Sequence, residues 1–416
     1  MIQTTEVVDK ARAAQQAAAL LRQSRTTARD AALRRMAGGL RASRTDVLVA
    51  NIKDVEASRE AGATAALLDR LALNEARVDA MAQALEEVAA LPDPLGEGES
   101  WVRPNGLHIS KIRVPIGVIG IIYEARPNVT VEAASLAFKA GNAVVLRGSS
   151  SALETNKVLV ALMRQALQES GLPPDAISLV EDTNRDVVDE MVRLNGLLDV
   201  VIPRGGDALI QRVVRAATVP VIETGVGNCH VYVDSRADLD KAERIVVNAK
   251  THRPAVCNAA ESLLVHGEVA AAFLPRVGRA LIEKGVELRG CPRTREWLSD
   301  AKPATEDDFG REFLDLIMSV KVVDSLDDAI SHVNCYGTHH SDAIVTEDYS
   351  AARQFTQAVD SAAVYVNAST RFTDGGEFGF GGEMGISTQK LHARGPMGLR
   401  ELTTSKYVVT GEGQIR

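Results

Sequence analysis

The chain has 416 residues, of which 45% are hydrophobic, 25% charged and only 4% aromatic. This length exceeds the size at which a single hydrophobic core stops growing, so it predicts two domains, and the composition excludes a largely disordered chain. The formal net charge of −8, with Lys and Arg scattered along the sequence, argues against a nucleic-acid partner, although a local cluster of Arg and backbone N–H groups could still bind a small anion.

The cysteines predict neither a zinc site nor a disulfide framework. Cys229, Cys257, Cys291 and Cys335 form no CxxC pair and no Cys/His ligand spacing, which fits a reducing cytoplasm. Residues 1–21 lack the pattern of a secretory signal, and no segment approaches about 20 uninterrupted apolar residues, so no membrane association is expected.

The N-terminal region predicts several packed helices. Apolar residues recur every three or four positions from about residue 4 to residue 90, and the first proline is Pro92. The run LPDPLGEGES, residues 91–100, predicts a loop that closes this region. Asn105-Gly106 then lies between two β-type runs and is the turn dipeptide of a hairpin.

From residue 118 onward, apolar strands alternate with amphipathic helices. The predicted strands are VIGIIY, AVVLRG, ISLVE, LDVVIP and VPVIE, with helices near 129–140, 153–170, 187–194 and 208–217. This alternation predicts a parallel sheet covered on both faces, with ligands bound beyond the carboxyl ends of the strands. A second α/β section begins near Tyr232, with strand candidates ESLLVH, IMSVKVV, SDAIV and AAVYVN.

Cys257 is the candidate nucleophile. It lies in THRPAVCNAAESLLVH, which predicts a loop, a short helix and then a strand. A thiol near a helix N-terminus favours the thiolate form, because the helix dipole and the free N–H groups stabilise its charge. The alternative from the residues alone is an inert, buried cysteine.

Many stretches in the same order resemble the aldehyde dehydrogenase superfamily and, within it, the γ-glutamyl phosphate reductases, over essentially the whole chain. They include SKIRVPIGVIGIIYEARPNVT, KAGNAVVLRGSSSALETN, VIPRGGDALIQ, VIETGVGNCHVYVD, RPAVCNAAESLLVH, DFGREFLDLIMSVKVVDSLDDAI and GPMGLRELTTSKYVV. EARPNVT, RPAVCNAAES and GPMGLRELT make the resemblance to the reductase branch specific.

The resemblance implies an α/β, aldehyde dehydrogenase-like fold with a parallel-sheet cofactor domain. We expect an NADPH-binding domain at residues 1–100 and 118–229 and a catalytic domain at 230–395. Residues 101–117 and 396–416 would form oligomerisation strands, because an exposed strand edge pairs with another subunit unless it is protected. A homodimer or a higher oligomer is therefore expected.

The resemblance places three residues in catalysis. Cys257 takes the position of the nucleophile, and Glu223 in VIETG matches the glutamate of the superfamily at an interval of 257 − 223 = 34 residues. In a reductase, water activated by this glutamate would waste the substrate, so we expect Glu223 to assist thiol deprotonation or to position the nicotinamide; the alternative is a structural carboxylate that ends a strand. Asn128 lies at the turn that supplies the oxyanion-hole asparagine in relatives, although alignment through Gly141 places that asparagine a few residues earlier.

The cofactor expectation rests on the run VVLRGSSS. Arg147 replaces a lysine of the superfamily, and Ser150 stands where NAD-using relatives often have a ribose-binding glutamate. With Ser149 and Ser150 as hydroxyl donors, this arrangement favours the 2′-phosphate of NADPH, whereas the alternative is that Arg147 only caps a loop.

Three further residues are expected to contact the cofactor. Gly205 and Gly206 open a helix after a strand and would let backbone N–H groups approach a pyrophosphate. Glu312 matches the second ribose contact of the superfamily, although the interval from Cys257 to Glu312 is shorter than in typical aldehyde dehydrogenases.

Substrate-binding candidates are Arg126, Arg371 and Asp374. Arg126, together with free N–H groups at a helix start, suits a phosphate or a carboxylate. Arg371 would bind the α-carboxylate of the substrate and Asp374 its ammonium group, the alternative being a surface salt bridge between the two. His339 and His340, in YGTHHSDA, are interpreted as polar loop residues without a catalytic role.

The resemblance implies that the Cys257 thiolate attacks L-glutamyl 5-phosphate, that phosphate leaves, and that NADPH reduces the resulting thioester to glutamate 5-semialdehyde, the second step of proline biosynthesis from glutamate. The upstream glutamate kinase is a further candidate partner, and no metal is expected. The alternatives are a hydrolytic NAD(P)-dependent aldehyde dehydrogenase and a non-enzymatic binding protein that has retained the fold.

Overall fold

The computed structural model describes residues 5–416, apart from the side chain of residue 66. These residues form two compact units. The first comprises residues 5–224, 379–385 and 397–416, and the second comprises Gly225–Phe378 and Ile386–Pro396. The division falls after Thr224, whereas the sequence analysis placed it after residue 229, and two C-terminal segments return to the first unit.

The first unit begins with helices, as the apolar spacing predicted. They are α1 (Glu6–Leu21), α2 (Thr26–Ala42), α3 (Arg44–Glu60), α4 (Ala65–Leu71) and α5 (Glu75–Ala90). Small alanines such as Ala11, Ala14 and Ala32 are fully buried, which allows neighbouring helices to approach closely. Thr4, with which the helical prediction began, lies outside the described residues.

Gly38 offers a simple test of packing in this region. It lies inside α2, is exposed, and a Cβ built there meets no heavy atom within 4 Å. Gly38→Ala is therefore expected to raise the free energy of unfolding by about 0.5–1 kcal/mol, because alanine loses less backbone entropy in a helix. Urea unfolding checks this. Gly278→Ala is the contrasting control, since its Cβ would lie 2.3 Å from Leu298 and should destabilise the chain.

The hairpin at Asn105-Gly106 is present. Its strands, β1 (Gly98–Val102) and β2 (His108–Pro115), pair antiparallel. Gly106 has φ 87°, and the Asn105 side chain accepts a hydrogen bond from the Leu107 N–H at 3.2 Å, which closes the turn. The loop predicted for residues 91–100 is too long by its last residues, because cross-strand bonds start β1 at Gly98.

A four-stranded parallel sheet follows, which confirms the predicted alternation. Its elements are β3 (Val118–Tyr123), α6 (Pro127–Lys139), β4 (Ala143–Arg147), α7 (Leu153–Glu169), β5 (Ile177–Leu179), α8 (Asp186–Met191), β6 (Val200–Arg204) and α9 (Asp207–Ala216). The strand order is β5-β4-β3-β6. The chain therefore reverses direction across the sheet between β3 and β6, which is where parallel sheets bind ligands.

The prediction of a strand in VPVIE is wrong. Only an isolated bridge joins Val221 to Val201. The Val201 N–H donates to the Pro220 carbonyl at 2.9 Å, and the Ile222 N–H donates to the Val201 carbonyl at 3.0 Å. Pro220 itself has no N–H to donate, so the ladder ends there.

The second unit is built on a seven-stranded parallel sheet. Its elements are β7 (Cys229–Val233), α10 (Leu239–Thr251), β8 (Ala260–His266), α11 (Gly267–Ile282), β9 (Glu287–Gly290), α12 (Pro292–Trp297), β10 (Lys302–Pro303), α13 (Glu306–Phe309), β11 (Ile317–Val323), α14 (Leu326–Tyr336), β12 (Ser341–Val345), α15 (Tyr349–Ala358) and β13 (Ala363–Val366). The strand order is β10-β9-β11-β8-β7-β12-β13. All four strands predicted for this section are present, whereas β7, β9 and β10 were not predicted; β9 and β10 are short. A two-stranded ladder of β14 (Ile386–Ser387) and β15 (Gly395–Pro396) completes the unit.

The C-terminal strand β16 (Thr403–Thr410) returns to the first unit and pairs antiparallel with β2 along its whole length. The resulting sheet has the order β1-β2-β16, so β16 is an edge strand, and its residues after Thr403 are exposed. Tyr407 meets Trp101 edge to face at 6.4 Å between ring centroids. Among residues 5–416, no helix is long and apolar enough to span a bilayer.

Candidate active site

Cys257 lies in a turn, and the helix expected at this position is absent. Residues 253–259 form turns and bends that lead directly into β8. The expectation of a thiolate favoured by a helix N-terminus is therefore wrong for Cys257, which is half-buried and forms no disulfide. Pro254 and the tertiary contacts of Asn258 hold the segment in turns instead of a helix.

The thiol that does cap a helix is Cys291, at the start of α12. Its sulfur lies 3.3 Å from the Thr294 hydroxyl and 3.5 Å from the Thr294 backbone nitrogen, which donates to it. Burial alone would raise the pKa of Cys291, but these hydrogen bonds outweigh burial, so the pKa lies below its usual value. Cys291 is therefore the natural competitor of Cys257 in any labelling experiment.

Two neighbours fix the backbone carbonyl of Cys257. The buried Cys229 thiol donates to this carbonyl oxygen, with 3.2 Å between sulfur and oxygen. Gly227 packs so closely that a Cβ built on it would lie 1.5 Å from the same oxygen. Only glycine fits at position 227, and the turn that holds Cys257 is locked from two sides.

The turn at residues 370–373 is hydrogen-bonded to Asn258, the residue after Cys257. Asn258 Nδ2 donates to the Thr373 carbonyl at 2.8 Å, and the Thr370 hydroxyl donates to the Asn258 carbonyl at 2.8 Å. These bonds bring Arg371 close enough for its charge to interact with Cys257. Burial lowers the pKa of Arg371 and the neighbouring charge of Arg253 lowers it further, whereas Cys257 raises it.

The charge of the Arg371 guanidinium is thus near enough to Cys257 to interact with it. Its Nε is buried and has no hydrogen-bond partner. Asp374 is exposed, and its Oδ1 accepts from the backbone N–H of Gly376 at 2.9 Å and of Glu377 at 3.4 Å. These bonds occupy Asp374 within its own turn, although its charge also favours the Arg371 cation.

Glu312 lies in the same unit as Cys257 and is linked to it through one residue. Its Oε1 accepts the Gly227 backbone N–H at 2.7 Å, and Gly227 is the residue packed against the Cys257 carbonyl. Cys257, Gly227 and Glu312 precede β8, β7 and β11, so they meet at the amino end of the seven-stranded sheet.

His340 does lie in a bend, directly before β12, but it is fully buried, which the sequence did not predict. Its Nδ1 is 2.8 Å from the Ser341 hydroxyl and 3.8 Å from the Cys229 sulfur. Ser341 continues the chain of hydrogen bonds to Thr373 at 2.6 Å. His339 does lie in a turn, with φ 61°, and its Nδ1 is 2.7 Å from the Asp360 carbonyl.

His340 makes the fold sensitive to acid. Burial lowers its pKa from 6.5 to about 4, so between these values the unfolded chain binds more protons than the folded one. The unfolding free energy should fall by up to about 3 kcal/mol as pH drops through this window. Urea unfolding at several pH values measures the slope. His340→Gln should reduce the slope of unfolding free energy against pH, whereas His108→Gln, at an exposed site, should not. An unchanged slope in His340→Gln would contradict the claim that His340 causes the acid sensitivity.

In the first unit, Arg126 and Asn128 lie at the start of α6. Arg126 is the N-cap residue and makes no side-chain capping bond, Pro127 occupies the first turn, and both Arg126 and Asn128 are exposed. The free N–H groups of a 13-residue helix therefore open beside two side chains that can bind an anion.

The expected cofactor residues lie at the carboxyl end of the four-stranded sheet. Gly205 and Gly206 form the turn from β6 into α9, and Gly206 is its N-cap. A Cβ on Gly206 would meet nothing closer than 3.8 Å, so the backbone is open to a ligand there. Ser149 and Ser150 follow β4, and the Ser149 hydroxyl accepts the Ser151 N–H at 3.3 Å.

Arg147 is engaged by the backbone. Its guanidinium donates to the carbonyls of Gly148 at 3.0 Å, Thr183 at 3.0 Å and Asn184 at 3.3 Å. Burial lowers its pKa, and the charge of Asp182 opposes this shift. Arg147 therefore holds the loop after β5 against the end of β4. Glu223, also in this unit, is half-buried after the Val221 bridge.

Three further residues shape the site without having been predicted from the sequence: Gly227, Cys229 and Asn258. Only the glycines of ETGVGN gave a signal, because a glycine outside a turn indicates a close backbone approach. The structure groups Cys257, Glu312, Arg371 and Asp374 in the second unit. The other candidates lie in the first: Asn128, Glu223, Arg126, Arg147, Ser149, Ser150, Gly205 and Gly206.

Comparison with known proteins agrees with this architecture. The aldehyde dehydrogenase family model matches residues 2–287 and 309–408. Gamma-glutamyl phosphate reductase of Heliobacterium modesticaldum is 58% identical over 417 residues, which covers 100% of each chain. The crystal structure of gamma-glutamyl phosphate reductase from Thermotoga maritima has a TM-score of 0.98 and 54% identity, over 99% of this chain and 100% of that one. An acetylating aldehyde dehydrogenase from Geobacillus thermoglucosidasius, at 19% identity and TM-score 0.71 over 99% of this chain and 97% of that one, shares the fold.

A chain with two parallel α/β sheets and this match belongs to the aldehyde dehydrogenase family. It is an oxidoreductase, and the resemblance to γ-glutamyl phosphate reductases read from its motifs is confirmed.

Proposed function

We propose that this protein reduces L-glutamyl 5-phosphate to glutamate 5-semialdehyde and phosphate with NADPH, through a thioester on Cys257. The relatives at 58% and 57% identity over the full chain carry the name of this activity. The observation that carries the mechanism is the half-buried Cys257 thiol, on a turn locked by Gly227 and Cys229, with the Arg371 cation nearby.

The covalent steps follow from the chemistry of the thiol. The Cys257 thiolate attacks the acyl carbon, and the bond from that carbon to the phosphate oxygen breaks because phosphate leaves as a stable anion. The Cys257 N–H and the Asn128 amide are the proposed donors to the oxyanion. After reduction the tetrahedral adduct expels the thiolate, which releases the aldehyde.

Recognition of the substrate is assigned to charged side chains. Arg371 would bind the α-carboxylate, because its buried Nε lacks a partner and its charge lies near Cys257. Asp374, exposed in the following turn, would attract the ammonium group. Arg126, at the open start of α6, would bind the phosphate.

NADPH supplies the hydride when bound. The residues of the first unit fit a dinucleotide, because Gly205 and Gly206 expose backbone N–H groups at the point where the strand order reverses. Ser149 and Ser150 are the proposed hydroxyl donors to the 2′-phosphate. Arg147 contributes positive charge and also holds the adjacent loop through three carbonyls. Its replacement should therefore disturb both the binding of NADPH and the conformation of that loop.

Glu312 is proposed to bind a ribose hydroxyl of the cofactor, and Glu223 to take up the proton of the thiol or to position the nicotinamide. A hydrolytic role for Glu223 would destroy the thioester, so water must be excluded while the thioester exists.

The edge strand β16 is proposed to pair with a second copy in a homodimer or a higher oligomer, since its exposed residues include Tyr407, Val408 and Val409. A cytoplasmic location and transfer of the unstable acyl phosphate from the upstream glutamate kinase complete the proposal.

The test runs the reaction backwards. With glutamate 5-semialdehyde and NADP, reduction of the nucleotide should require inorganic phosphate, because phosphate is the acyl acceptor that resolves the thioester. Arsenate should substitute for phosphate, and sulfate is the matched control. Turnover that proceeds at the same rate without phosphate would identify a hydrolytic aldehyde dehydrogenase instead.

A further inference from the structure

A buried ion pair joins the two elements that flank Cys257 in sequence. Lys250 on α10 and Glu261 on β8 are both fully buried and bonded to each other. Two charges removed from water are costly, and a well-packed apolar pair would often stabilise a fold as well or better. Stability is therefore a weak explanation for this pair.

The two oxygens of Glu261 have different partners. Oε2 accepts from the Lys250 ammonium, and Oε1 accepts the backbone N–H of Leu314 at 3.1 Å. Leu314 has φ 55°, in the left-handed region that leucine avoids. A residue keeps such a conformation only when its surroundings impose it, and the bond to a buried, fixed carboxylate does so.

The same segment carries Glu312. Two residues before Leu314, the Glu312 carboxylate accepts the Gly227 N–H at 2.7 Å, and Gly227 packs against the Cys257 carbonyl. A chain of contacts therefore leads from the buried pair through Leu314 and Glu312 to Gly227 and the nucleophile.

We propose that Glu261, with Lys250 as its buried counter-ion, is a positioning residue that clamps the segment 312–314, so that the Glu312 carboxylate is held for the cofactor and for Gly227. This inference rests on the proposed function, in which Glu312 binds a ribose hydroxyl. Neither Lys250 nor Glu261 touches substrate or cofactor; Glu261 holds the Leu314 N–H through Oε1, and Lys250 balances the buried charge through Oε2.

The electrostatics agree with this division of roles. Burial raises the pKa of Glu261 to about 7, and the positive charge of Lys250 opposes that rise, while Glu312 adds to it. Burial likewise lowers the pKa of Lys250, and the charges of Glu261, Asp315 and Cys229 oppose that change. Each partner thus opposes the pKa shift that burial causes in the other.

Two double variants isolate the clamp from the burial of charge. Removing one partner would leave a buried, unpaired charge, so both are replaced together. K250M/E261Q keeps a side-chain oxygen that can accept the Leu314 N–H, and K250M/E261L lacks one. The control, K241M/E347Q, removes an exposed ion pair elsewhere in the second unit.

Three quantities are measured in the folded proteins: the KM for NADPH, the Kd for NADPH and the rate of Cys257 alkylation by iodoacetamide. We expect K250M/E261L to raise KM and Kd for NADPH at least tenfold and to change the alkylation rate at least threefold. K250M/E261Q should stay within threefold of the control in all three. Equal values for the two double variants, whether both normal or both impaired, would overturn the proposal.

A second measurement keeps the proposal testable if K250M/E261L does not fold. A neutral amide binds an N–H less strongly than a carboxylate, so hydrogen exchange in the peptide containing residues 311–316 should accelerate at least threefold in K250M/E261Q and not in K241M/E347Q. Unchanged exchange would overturn the clamp.

Glu312→Gln separates this inference from the proposed function. If Glu312→Gln leaves the Kd for NADPH unchanged, the ribose contact itself is wrong, and with it the reason for the clamp. If Glu312→Gln weakens NADPH binding and K250M/E261L does not, the ribose contact stands and the clamp alone is rejected.

Discussion

Replacement of Cys257 by alanine is expected to lower kcat/KM by at least about a thousandfold, because the covalent step has no substitute. Cys229 cannot replace it: that thiol is fully buried, and burial raises its pKa well above the usual value. NADPH binding should persist, since the proposed cofactor residues lie in the first unit apart from Glu312. Steady-state kinetics and nucleotide titration measure the two effects separately.

Cys291→Ser and Cys335→Ser are the matched controls for this result. Serine preserves the helix cap at position 291, where hydrogen bonds lower the thiol pKa, and Cys335 is exposed. Both should retain turnover within about twofold of the parent, as expected for substitutions away from the chemistry. Mass spectrometry of enzyme trapped with substrate should find the acyl group on the peptide RPAVCNAAES. An acyl group on Cys291, or substantial turnover by Cys257→Ala, would reject the thioester mechanism.

Local patterns sufficed for most of the architecture. The helices before residue 90 and the strands VIGIIY, ESLLVH and SDAIV have periodicities and apolar runs that decide their state without long-range information. The strand predicted in VPVIE is absent because its local pattern did not decide its state. Pro220 lacks the N–H that would extend the ladder, and the β-type residues around it cannot compensate.

The site was only partly predictable for the same physical reason. Family motifs make Cys257 and Glu312 candidates for the site, but the conformation around Cys257 depends on residues distant in sequence, such as Thr373, whose carbonyl accepts from Asn258. His340 is likewise buried beside Cys229 of β7, and its neighbour Ser341 is bonded to Thr373, which no local pattern encodes. A sequence can thus indicate which residues react before it indicates what holds them.

Gly227→Ala tests what holds the nucleophile. The added Cβ would lie 1.5 Å from the Cys257 carbonyl oxygen and 2.6 Å from its Cα, so the backbone of one turn or the other must move by more than 1 Å. Displacements of this size in a reacting group can cost about a hundredfold in rate. We expect kcat to fall by about that factor, with a loss of about 1–3 kcal/mol in the free energy of unfolding from overpacking.

The kinetic pattern identifies the cause. Because Gly227 also donates its N–H to Glu312, the variant should change both the alkylation rate of Cys257 and the KM for NADPH, whereas general destabilisation would leave both unchanged in the protein that remains folded. Gly38→Ala, which adds the same methyl group in open space, controls for the exchange itself and should leave kcat unchanged. A Gly227→Ala enzyme with kcat within threefold of the parent would show that the turn can yield, and that the carbonyl of Cys257 need not be held for catalysis.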